Sequence, residues 1–92
     1  MTMTYWLRFP RKFSNEYDVG IATTNEHAEQ YEAEEFERID RDYALRLMSR
    51  RPQNGEQLYV DVTIDGAGEA DRYDQRDRYA VARAIRTGQL AA

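Results

Sequence analysis

A chain of 92 residues, 41% hydrophobic and 33% charged, makes one small α+β-sized domain over residues 1–92 with a thin core. It contains no cysteine, which excludes a disulfide framework and a thiolate zinc site. The net charge of −4 is unevenly placed: residues 26–42 hold eight acids against Arg38 and Arg41, a net of −6, so the remainder is at +2.

The N-terminal "MTMTYWLRFPRKF" lacks the charged start and apolar run of a secretory signal, and no apolar stretch reaches membrane-spanning length. A cytoplasmic protein is expected. "TYWLRF" alternates Tyr5, Leu7 and Phe9 against Trp6 and Arg8, the period of a half-buried strand, and Pro10 ends it. "YDVGIAT" alternates Tyr17, Val19, Ile21 and Thr23 against Asp18, Gly20 and Ala22, which predicts a second strand in a hairpin with the first.

"TTNEHAEQY" reads as a helix start, with Thr23 and Glu26 spaced as a capping box and Thr24 and Asn25 as rival caps. Its apolar stripe is Ala28, Tyr31, Phe36 and Ile39, interrupted by Glu32 and Glu35. From Asp40 onward Tyr43, Ala44, Leu47 and Met48 form a stripe rotated away from the first, so one straight helix cannot bury both. A break follows, with Asp40 capping a second helix that stops at Pro52. "PQNG" then turns the chain, and "EQLYVDVTID" puts Leu58, Val60, Val62 and Ile64 on one face against Tyr59, Asp61, Thr63 and Asp65. That polar face predicts a sheet open on one side. After a turn at "GAGEAD", Asp74 or Asp71 caps a last helix in which Arg78, Val81, Ala82 and Ile85 share a face, Gly88 ends it, and residues 89–92 form a flexible tail.

The expected fold is therefore α+β in the order β-β-α-α-β-α: a three-stranded, mostly antiparallel sheet with two or three helices on one face. Its core face is Tyr5, Leu7, Phe9, Val19, Ile21, Leu58, Val60, Val62 and Ile64. If the third strand lands beside the first, the strand order is 2-1-3.

Chemistry has little to work with. Ser14 and Ser49 are the only serines, and the one histidine, His27, falls in a helix first turn, where a solvent-exposed position is expected. Asp61 and Asp65 share an exposed strand face that would not raise a carboxylate's pKa. "DGAGEAD" lacks the ligand spacing of a calcium loop, and its acids would repel a phosphate. No catalytic residue, metal ligand or cofactor is expected.

Two surfaces remain. A nucleic-acid patch would draw on Arg8, Arg11, Lys12, Arg50 and Arg51, with Trp6 and Tyr59 as a stacking platform, but Asp18, Asp61 and Asp65 on the same face oppose a phosphate backbone. The other is acidic: Glu29, Glu32, Glu34, Glu35, Glu37, Asp40 and Asp42 would present carboxylates at helical spacings of about 5–6 Å, with an exposed Trp6 as protein-binding anchor. Such a surface steers toward a basic partner and can mimic a nucleic-acid strand. A homodimer through an open sheet edge is a third expectation.

In size, element order and acidic helix, through "TYWLRF", "YDVGIAT", the helical middle, "LYVDVTID" and a final helix, the chain resembles the small single-domain proteins of phages and mobile elements, anti-CRISPR inhibitors among them. The resemblance implies a non-enzymatic protein that occupies a surface of a CRISPR effector complex, with residues 26–42 facing an arginine-rich channel.

Overall fold

The computed structural model describes residues 3–8, 15–51, 55–63, 70–73 and 77–88. The elements in chain order are β1 (Thr4–Arg8), β2 (Glu16–Ala22), α1 (Asn25–Ala33), β3 (Glu37–Ile39), α2 (Arg41–Ser49), β4 (Gln57–Thr63), β5 (Ala70–Tyr73) and α3 (Arg78–Arg86). The fold is α+β, as expected. Among the described residues, however, the sheet is mixed and five-stranded, ordered β3-β1-β2-β4-β5. The two additional strands span three and four residues at its edges, too short to display a period of two.

β1 and β2 form the expected antiparallel pair, Tyr5 opposite Ile21 and Leu7 opposite Val19. β4 lies beside β2, in parallel, with Val19 opposite Val60 and Ile21 opposite Val62. The 2-1-3 order is thus corrected, because β3 takes the free side of β1, setting Arg38 opposite Trp6. A parallel neighbour needs a long crossover, and α1, β3 and α2 together supply it.

On one face of the sheet Tyr5, Leu7, Val19, Ile21, Leu58, Val60 and Val62 form a single cluster with Ala44, Leu45, Leu47 and Met48 of α2 and Val81, Ala82 and Ile85 of α3. Phe9 and Ile64, also expected there, lie outside the described residues. The opposite face is covered as well, which corrects the expectation of helices on one side only. There α1 lays Tyr31 across Gly20, where an added Cβ would meet the ring at 2.7 Å. The phenol donates to the Asp61 carbonyl at 3.1 Å, and Trp6, Ala22, Tyr31 and Phe36 make a second buried cluster. The missing side chain at Gly20 is what admits the aromatic ring so close to the sheet.

The helix termini follow local chemistry. Thr24, not Thr23, caps α1 by accepting from the His27 backbone N–H at 3.3 Å. The break at Asp40 is present: its Oδ1 accepts from the Tyr43 N–H at 2.7 Å and starts α2. α3 buries Arg78, Val81, Ala82 and Ile85, as predicted, and Gly88 follows it at φ +72. Its N-cap is Asp77, without a side-chain bond; Asp71 belongs instead to β5, and Asp74 lies outside the described residues. Residues 52–54 of the "PQNG" turn, residues 64–69 with Asp65, and the tail 89–92 also lie outside them, whereas Gly55 holds a turn conformation at φ +78. Among the described residues no helix is long and apolar enough to cross a membrane.

Candidate functional site

The acidic run is not one helix face. α1 stops at Ala33 because the next residues fold back on it: the Glu35 N–H reaches the Glu32 carbonyl at 3.1 Å and the Phe36 N–H reaches the Tyr31 carbonyl at 3.0 Å. Glu35 sits at φ +67. These two bonds and a left-handed residue constitute a Schellman ending, normally completed by glycine and by an apolar contact between the residues placed here at 31 and 36. That contact is present, with the Tyr31 and Phe36 ring centroids 4.8 Å apart. The chain then runs straight into β3.

This geometry spreads the predicted carboxylates over four settings. Glu29 and Glu32 lie on α1, Glu34 and Glu35 in the turn, Glu37 on β3, and Asp40 and Asp42 at the start of α2. All seven are exposed. Only Asp42 forms a described ion pair, at 4.0 Å with Arg41, and Gln30 donates to Glu34 at 3.4 Å. Asp40 is engaged in capping. Glu29, Glu32, Glu35 and Glu37 have no ion-pair partner among the described residues, so the surface keeps a net negative charge despite Arg38 and Arg41.

Trp6 is not the exposed anchor expected. It is 6% exposed, facing α1 with its ring 6.4 Å from that of Tyr31, and its indole N–H donates to the Thr4 hydroxyl at 2.9 Å. The alternation of β1 placed it on the second face correctly; what it did not reveal is the helix above that face. The exposed aromatic near the acids is Tyr43 of α2, 37% exposed and flanked by Asp40 and Asp42, with the Arg46 guanidinium 5.7 Å from its ring. The apolar stripe of Tyr43, Ala44, Leu47 and Met48 predicts it in the core. Nothing in the residue types alone distinguishes the outer edge of that stripe from its centre.

The basic patch is partly neutralised. Arg8 pairs with Asp18 at 2.8 Å and lies 4.5 Å from the Phe36 ring centroid, while Arg50 pairs with Glu56 at 3.2 Å. Arg51 is exposed, and Arg11 and Lys12 lie outside the described residues. Trp6 is buried beneath α1, so it offers no open face for stacking beside Arg8.

His27 is buried, which corrects the expectation of an exposed side chain: it lies one turn before Tyr31 on the face that α1 lays on the sheet. Ser49 Oγ is buried without a hydrogen-bond partner, and Ser14 lies outside the described residues. Among the described residues no group of three or more His, Cys, Asp or Glu side chains could hold a metal ion. Burial raises Tyr31 well above the usual tyrosine range; it also raises Tyr5, against the opposing pull of Arg41, and Tyr17, with Glu56 adding and Arg50 opposing.

Compared with known proteins, the chain matches no family model, no curated protein and no solved structure.

Proposed function

We propose that this protein is a non-enzymatic inhibitor or regulator of the anti-CRISPR kind, which uses its acidic segment to occupy a basic surface of an effector complex in the cytoplasm. The observation that carries the reading is the row of exposed carboxylates from Glu29 to Asp42, most of them without an ion-pair partner among the described residues. Clustered like charges repel one another, so they weaken the free fold and regain that energy only against a basic partner.

Glu35 adds support. A glycine would complete the turn without strain, yet a glutamate stands at φ +67, a conformation costing an L-residue about 1 kcal/mol or more. Tyr43 takes the anchoring role first given to Trp6. An exposed tyrosine bracketed by acids offers area at small entropic cost, as interface centres require.

The test is affinity capture from host lysate and from a panel of CRISPR effector complexes. It compares wild type with a folded variant carrying glutamine at Glu29, Glu32, Glu34, Glu35 and Glu37. A specific protein retained by the wild type and lost by the variant is expected; identical partners for both would overturn the reading. A labelled oligonucleotide at low salt serves as the control and is expected not to bind.

A further inference from the structure

We infer that the free edge of β3 is a strand-pairing site for an extended basic polypeptide segment, which joins the sheet beside β3. This rests on the reading above and deepens it from a charged surface to a mode of attachment. Among the described residues β3 ends the strand order and pairs only with β1. Among the described residues, therefore, the outward backbone groups of Glu37–Ile39 have no strand beside them. Such an edge is a template for another strand, whose main chain supplies affinity and whose alternate side chains supply selectivity.

The charge around the edge selects the occupant. Glu34, Glu35, Glu37, Asp40 and Asp42 are exposed against Arg38 and Arg41, a net of −3 over residues 34–42. A second copy of this chain would bring a like-charged edge against the first, which shortness and charge on an edge strand serve to prevent. A lysine- or arginine-bearing strand meets the opposite situation, since a base directly across from Glu37 forms a favourable cross-strand pair.

β3 is also firmly held. Ile39 packs against the main core, and the turn at Glu35 and Phe36 is bonded back onto α1. The edge is thus presented by a fixed backbone, and pairing requires little ordering on this side of the interface.

The experiment titrates the full chain into a fluorescein-labelled peptide of alternating lysine and valine. Two control peptides run in parallel, one methylated on every backbone nitrogen and one with glutamate in place of lysine. Binding of the lysine peptide that weakens with salt, falls about tenfold or more on methylation, and slows amide exchange within Glu37–Ile39 is expected. Equal binding of the methylated peptide would overturn strand pairing and leave the acidic docking surface standing. Failure of both lysine peptides, while wild type still captures a partner that the five-glutamine variant loses, would likewise overturn strand pairing alone. Failure of both peptides with unchanged capture would remove the docking surface too. A homodimer that protects these amides without peptide would overturn the inference in favour of self-pairing.

Discussion

Glu35 holds a backbone conformation in which an L-side chain is strained and glycine is not. Glu35→Gly is therefore expected to raise the urea midpoint, with a gain of about 0.5–1 kcal/mol after the added flexibility of the unfolded chain is subtracted; an unchanged or lowered midpoint would show that the carboxylate contributes to the fold. Tyr31 gives a pH-dependent counterpart. Its phenol is pushed above the ordinary value of 10.0 by burial, so the native state keeps a proton that the unfolded chain releases. The resulting stability is fully present below about pH 10 and declines as pH rises above it, by up to about 1.4 kcal/mol per pH unit. Tyr31→Phe is expected to cost about 1 kcal/mol at neutral pH through the bond to the Asp61 carbonyl, and to flatten the alkaline decline in urea melts. Tyr5 and Tyr17, raised in the same direction, leave a residual slope. Equal alkaline slopes in the two proteins would contradict the assignment.

Among the elements, the junction of α2 with α3 depends on Arg78, which is 1% exposed. Its guanidinium donates to the Arg50 carbonyl, the C-cap of α2, and to the Tyr79 hydroxyl. A cation at a helix C-terminus meets the negative end of the dipole, which accounts for a buried charge lacking a carboxylate partner among the described residues. Nε remains without a hydrogen bond. Arg78→Ala is expected to destabilise by about 2–4 kcal/mol, from the cavity and the orphaned carbonyl, and Arg78→Met by less because it keeps the volume; calorimetry of both variants checks the order. The sequence placed Arg78 on the correct face beside Val81, Ala82 and Ile85, because a nine-residue helix displays its period fully. The same clarity applied to β4 and to the Asp40 cap. It failed for β3, where three residues cannot show alternation, and for the ending of α1, where the customary glycine signal is replaced by glutamate. The acidic surface is legible as composition but not in shape: the spacing predicts continuous helical phase past Ala33, where the chain turns, and the polar face of β4 predicts an open side of the sheet, where α1 covers Trp6.

At the scale of the whole molecule, the two clusters on opposite faces of the sheet bury the apolar side chains that an open-faced sheet would have offered to a partner. What remains outward along residues 29–43 is mostly charge, a fixed edge strand and Tyr43. Charge of this kind steers association and makes it depend on salt, which separates it from an apolar interface. The most direct measurement is the affinity of wild type and of the five-glutamine variant for the captured effector complex, followed across a salt series. The account predicts binding that weakens as salt rises and a variant at least about tenfold weaker at low salt. Equal affinities with no dependence on salt would contradict it.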